Sequence, residues 1–292
     1  MTDPNRKPRR IVNARRVLAV GTLAATALGN VAQADSDTAP LGGNASDSLL
    51  LASAEGEGEG AGASGGEGEG EGEGEGEGGG ASLAPEVSLM RDLGFMTGHL
   101  RAGMALYEAG DLEAAKTHMG HPIEEKYDAV AEPLQERGFG GLKDRLLELS
   151  AAAEEEADVA EVRRLFDEVI AGVNEVRADS SGTARDQLMG LAALTRVAAQ
   201  EYDVAIADDG SIDNLHEYQD SWGFLRTVEE QAGKWADSDD AAAGEAAGKI
   251  LEQIDAVKEA YGDLQGNDIT RPDPSLLFGA AARMELAVIA MD

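Results

Sequence analysis

The sequence predicts an all-α protein, an antiparallel helical bundle or pair of bundles behind a disordered N-terminal tether. Three observations carry that expectation. From Pro85 onward the chain is rich in Ala, Leu and Glu, its apolar residues recur every three or four positions, and Gly or Pro punctuates it at about helix-length intervals. Val159, Val162, Leu165, Phe166, Val169, Ile170 and Val173 trace one such apolar face. The breaks fall at Gly110-Asp111, Gly120-His121-Pro122, Gly138-Phe139-Gly140-Gly141, Asp208-Asp209-Gly210-Ser211 and Arg271-Pro272-Asp273-Pro274. They imply helices over 85–108, 112–119, 122–137, 142–156, 158–177, 183–207, 213–236, 240–263 and 275–290. Such a series forms one large bundle or two pseudo-symmetric ones, with sub-bundles at 85–178 and 183–292.

The region ahead of Pro85 reads differently. Six basic residues (Arg6, Lys7, Arg9, Arg10, Arg15, Arg16) precede an apolar run from Val17 to Ala32, which closes on Ala32-Gln33-Ala34. A basic, an apolar and a small-x-small segment in that order make a secretory signal, so residues 1–34 are expected to be cleaved and the mature chain to be periplasmic or secreted. The apolar run spans 16 residues and is interrupted by Gly21, Thr22, Thr26, Gly29 and Asn30, short of the roughly 20 that a membrane span needs. No stable membrane insertion is therefore expected after cleavage. The absence of Cys excludes a lipoprotein anchor, a disulfide framework and covalently attached c-type haem.

Residues 35–84 form a linker dominated by Glu-Gly repeats at 55–80, which cannot bury a core and which Glu–Glu repulsion extends. The chain is strongly acidic, with a formal net charge of −32. Residues 1–34 are net basic by five, so the mature chain carries −37, of which −25 lies on residues 85–292. That field repels nucleic acid and anionic lipid and attracts cations. With only seven Lys, it also suits solubility in a salty medium.

Candidate chemistry concentrates between residues 90 and 121, which hold His99, His118 and His121 together with Met90, Met96, Met104 and Met119. Imidazole and thioether are ligands for transition metals and haem. His99 and His121 each lie eleven residues from Gly110, so an antiparallel hairpin turning there sets both about 16 Å from the turn. Met96 and Glu124 form a second matched level, fourteen residues to either side. Pro122 suits the first position of a new helix, which would place His121 at its N-cap with Glu124 and Glu125 on the same face. The candidate metal ligands are thus His99, His121 and Glu124, with Glu125 or Met96 completing the set. His118 reads as an exposed helix-end residue, and Met96 and Met104 pack equally well as core.

Met119-Gly120-His121-Pro122-Ile123-Glu124 resembles the Gly-x-His-x-x-Glu motif of imelysin-like proteins, with the Gly displaced by one position, since Met119 stands where the motif has Gly. The resemblance covers six residues and carries over only His121 and Glu124. It implies a secreted or periplasmic protein of paired helical bundles associated with iron uptake, and with that a membrane-transport partner.

A faint internal echo accompanies it. At an offset of 95, Tyr107 meets Tyr202, His121 meets His216, Glu125 meets Asp220 and Tyr127 meets Trp222. This is a duplicated hairpin or chance; for His216, Glu217 and Asp220 a solvated polar face is the expectation, with a contribution to a second site as the alternative. Asp208-Asp209-Gly210-Ser211-Ile212-Asp213 fails as a calcium loop, because aligning Gly210 with the required Gly puts Ala205 and Ala207 at ligand positions. No catalytic nucleophile, phosphate-binding Gly loop or His-Glu-x-x-His is present, so the chain reads as a non-enzyme. The expected ligand is a metal ion, with iron first and copper or zinc as alternatives. A helical interaction module and a b-type haem protein are the competing readings.

Overall fold

The computed structural model describes residues 83–291, and the predicted export signal and nearly all of the linker lie outside them. The described residues are helical, without strands; one antiparallel bridge joins Ile206 and Ile212. Among them no helix is long and apolar enough to cross a membrane.

Helix α1 (Pro85–Ala109) begins with Pro85, whose missing N–H costs nothing in a first turn, and ends at Gly110, whose φ of 85° closes the helix in the left-handed region. Asp111 then caps α2 (Leu112–His121), accepting from the Ala114 N–H at 3.5 Å. The expected break at Gly120 does not occur. Pro122–Lys126 forms a π-helical turn that runs directly into α3 (Tyr127–Glu136). Pro122 has no N–H for the α-helical ladder, and the wider π turn takes up that missing donor without ending the helix. His121 is consequently a helical residue (φ −50°, ψ −41°) and not an N-cap.

Helices α4 (Leu142–Glu154) and α5 (Val159–Asp179) complete the first half. The second half comprises α6 (Ala184–Ala205), α7 (Leu215–Ala236), α8 (Ala241–Ala256) and α9 (Ser275–Ile289). The helix expected over 240–263 stops early, at Ala256. A short turn at Lys258–Ala260 leads into a loop held by side chains: the Tyr218 hydroxyl accepts from the Gly262 N–H (2.8 Å) and donates to the Asp263 carbonyl (3.0 Å). The Asp263 carboxylate in turn accepts from the Gln265 and Asn267 backbones, a local alternative to helix.

Packing divides these helices into two four-membered rings. In the first, α1 packs on α2, α2 on α4, α4 on α5 and α5 on α1; in the second, α6, α7, α8 and α9 close in the same order. Each ring has its own core. Met90, Leu100, Met104, Leu146, Phe166 and Val173 lie in the first, and Leu191, Tyr202, Phe224, Ile250 and Met284 in the second. The same tie recurs in both: Tyr107 at the end of α1 donates to the Ala157 carbonyl between α4 and α5, and Tyr202 at the end of α6 donates to the Ala260 carbonyl between α8 and α9. Helix α1 joins the rings, packing on both α6 and α7. It comes closest where Gly98 meets Gly223. A Cβ on Gly98 would lie 2.9 Å from the Phe224 nitrogen, and one on Gly223 would press on the Gly98 carbonyl. Only glycine lets the two backbones approach so far.

Candidate metal centre

That crossing positions the candidate ligands. His99 follows Gly98 on α1 and Asp220 precedes Gly223 by three residues on α7, so the glycine contact brings the two side chains together, with His99 Nδ1 2.5 Å from Asp220 Oδ1. His216 lies one helical turn before Asp220 on α7, its Nε2 3.2 Å from Asp220 Oδ2. From the other side, α2 supplies His118 and His121, and the π turn supplies Glu125. His118 Nδ1 lies 2.8 Å from Asp220 Oδ1, and His121 Nδ1 lies 3.0 Å from Glu125 Oε1. Glu125 Oε2 reaches to 3.6 Å from His99 Nε2, and His216 Nε2 is 3.4 Å from His121 Nδ1. The chain's four histidines therefore converge on two carboxylates.

These separations have a simple meaning. Two donors bound to one ion at about 2.0–2.1 Å, at tetrahedral or octahedral angles, sit about 3 Å apart. Three overlapping sets meet the wider requirement that all donor atoms lie within 4.8 Å of one another: His99, His121 and Glu125; His99, His118 and Asp220; His121, His216 and Asp220. The inner members are deeply buried, His99 and Asp220 at 2% exposure and His118 at 0%. The outer members His121, His216 and Glu125 retain some exposure, which gives the centre an edge open to solvent.

The protein alone leaves the polar groups here incompletely satisfied. Both ring nitrogens of His99 and Glu125 Oε2 are buried without a hydrogen-bond partner: the short Nδ1–Asp220 contact lacks hydrogen-bond geometry, and Nε2 and Glu125 Oε2 stand 3.6 Å apart. Buried polar atoms ordinarily find partners, and an orphaned imidazole between two carboxylates fits a cation well. His118 adds to this. The Gln219 amide donates to the Leu264 carbonyl (2.9 Å), which turns its oxygen toward His118 Nε2 (2.9 Å). With that N–H donated, a neutral His118 ring aims its Nδ1 lone pair at Asp220 Oδ1, an opposition that a proton or a metal ion between them relieves.

Electrostatics agree. Burial favours the neutral form of Asp220, but the surrounding His99, His118 and His216 outweigh it and hold its carboxyl well below the usual range. Burial lowers His121 and His216, and the facing carboxylates overcome it, Glu125 and Asp220 at His121 and Asp220 at His216, so both imidazoles titrate above their ordinary value.

Of the residues that the sequence singles out, His99, His121 and Glu125 meet here, the two His rings 5.2 Å apart between centroids. Glu124 is exposed to solvent, one position short of the face that Glu125 occupies in the continuous helix. Met96 is fully buried in the first core. Two expectations are corrected. His118 is buried, not an exposed helix end, because α2 continues past it. His216 and Asp220 line the centre and not a solvated face, because α7 packs onto α1. The one sequence signal pointing to them is the offset of 95, which pairs His121 and Glu125 with His216 and Asp220.

Comparison with known proteins adds one match. Residues 177–275 match the family model described as the iron permease-associated 4-helix bundle domain, a stretch that contains α6, α7 and α8 and with them His216 and Asp220. No curated protein and no solved structure matches the chain. The match does not extend to the imelysin-like motif at 119–124, whose Glu124 faces solvent. The part of the second ring built from α6, α7 and α8 is thus similar to the iron permease-associated 4-helix bundle domain.

Proposed function

We propose that this is an exported, non-catalytic protein of the periplasm that binds iron at the His99/His118/His121/His216 centre and serves an associated iron permease. The observation that carries the reading is the convergence of all four histidines on Asp220 and Glu125 at ligand-like spacings, with both ring nitrogens of His99 buried and without a hydrogen-bond partner. Imidazole and carboxylate donors suit iron or zinc; no thioether joins the set, since Met96 sits in the core, which argues against a copper(I) site. The similarity of residues 177–275 to an iron permease-associated domain favours iron between the two. The acidic surface raises the local cation concentration, and the edge at His121 and His216 provides a route in and out.

The test is direct. Protein purified without a His tag and freed of metal is titrated with Fe(II) under argon, then with Zn(II) and Cu(II), and bound metal is measured after gel filtration. Stoichiometric iron, lost in a His99→Ala/His121→Ala double variant that still folds, supports the reading. Failure to bind any of these ions overturns it and favours a helical interaction module, and a Soret band in the purified protein would point to haem. N-terminal sequencing of the mature chain tests export: a start near Asp35 is expected, and a mature protein that begins at Met1 refutes it.

A further inference from the structure

We infer that the centre takes two cations, bridged by the carboxylates of Asp220 and Glu125. This inference rests on the metal-binding reading above and deepens it.

The two oxygens of Asp220 face different histidines. Oδ1 lies against His99 (2.5 Å) and His118 (2.8 Å), whereas Oδ2 lies against His216 (3.2 Å). Glu125 is divided in the same way, with Oε2 toward His99 (3.6 Å) and Oε1 toward His121 (3.0 Å). The donors therefore separate into two sets of equal composition. His99 and His118 share Asp220 Oδ1; His121 and His216, whose nitrogens are 3.4 Å apart, group with Asp220 on the side of Oδ2, and Glu125 reaches one histidine of each set, His99 and His121. Each ion receives two imidazoles and two carboxylate oxygens, and an octahedral ion keeps two positions for water or an exchanging ligand.

Ring geometry separates the sets independently. The His118 and His216 rings stack with centroids 4.3 Å apart and planes only 4° from parallel. An imidazole nitrogen binds a metal in the plane of its ring, and two stacked parallel planes do not meet. One ion cannot lie in both planes, so the two rings serve different ions. Along the chain the offset of 95 relates the two bridging carboxylates, since His121-x-x-x-Glu125 and His216-x-x-x-Asp220 each bring one imidazole and one carboxylate from corresponding helices of the two rings. Carboxylate bridges of this kind hold ions about 3.5–4 Å apart.

The experiment counts ions and asks whether they are neighbours. Metal-free, tag-free protein is loaded with Fe(II) under argon and bound iron is measured per chain; a parallel sample is loaded with Mn(II) and its electron paramagnetic resonance spectrum recorded. Two ions per chain are expected, with Mn(II) spectra broadened by exchange coupling in place of the isolated six-line pattern. His216→Gln removes a partly exposed ligand from one set only and should reduce the count from two to one and restore six lines; a thermal melt confirms that it is folded. Saturation of the wild type at one ion, two ions without coupling, or two ions retained by His216→Gln would each overturn the bridged pair while leaving metal binding intact. Zero ions would overturn the metal-binding reading itself.

Discussion

Replacing Gly223 by Ala puts one methyl group into the contact between α1 and α7. The added Cβ would press on the Gly98 carbonyl oxygen, with the carbonyl carbon 3.0 Å and Ala102 Cβ 3.2 Å away. Carbon atoms pack at about 3.5–4.0 Å, and the obstruction is backbone, so the helices must separate by about 1 Å. Overpacking of this kind costs about 1–3 kcal/mol. At the middle of that range, a domain of this size loses about 4–8 °C in Tm. The same separation draws Asp220 away from His99. Metal–ligand distances tolerate only about 0.2 Å, so iron affinity should fall by at least about tenfold, or about 1.4 kcal/mol. Gly233→Ala on the same helix is the control, because nothing lies within 4 Å of its Cβ. That change should raise Tm by a few degrees, since Ala is about 1 kcal/mol better than Gly within a helix. Thermal melts and iron titration of both variants decide the matter. A Gly223→Ala protein as stable and as tight for iron as the wild type would refute the argument that the glycine crossing sets the ligand geometry.

Other parts of the molecule give three more expected outcomes. His121 and His216 titrate above their ordinary value in the folded state, so their contribution to the metal-free protein is complete below about pH 6.5 and is lost as pH rises through the raised values, whereas that of Asp220 is complete above about pH 4 and is lost as pH falls through its lowered value. Melts of metal-free protein should therefore show Tm falling above about pH 6.5, and iron should remove that fall by taking the place of the protons; a metal-free Tm that rises across this window would contradict the assignment. Arg177 is buried, held by the Met90 carbonyl (3.1 Å) and thioether (3.7 Å), and burial pushes its pKa down to about 10. Arg177→Met should stabilise the fold by about 1–3 kcal/mol in a denaturant titration, because it removes a desolvated charge and keeps the volume. Thr183→Ala removes the reciprocal cap in which Thr183 Oγ1 accepts from the Asp186 N–H and Asp186 accepts from the Thr183 N–H; it should cost about 1 kcal/mol and lower Tm by about 2–4 °C, with iron stoichiometry unchanged.

The helices were legible because apolar spacing is a local signal, and so was part of the centre. Equal distances of His99 and His121 from Gly110 are a matter of helix rise, and the hairpin brings those rings to 5.2 Å. The course of the chain beyond Gly120 was not legible. Gly and Pro two residues apart read as a stop and a restart, yet a π turn carries the helix through, and the choice between Glu124 and Glu125 depends on that continuation. The burial of His118 and the arrival of His216 and Asp220 depend on how α7 lies across α1. That crossing is decided by Gly98 and Gly223, 125 positions apart, and neither marks itself as a contact in the sequence. The offset of 95 was therefore the one long-range signal within reach. Four matched pairs are too few to argue duplication from letters alone. In three dimensions two of those pairs supply half the histidines and both carboxylates of one centre, and a third, Tyr107 with Tyr202, anchors corresponding turns in the two rings. The repeated spacing thus has a physical reason to persist whatever its origin: a centre between two similar bundles draws one imidazole and one carboxylate from the same place in each.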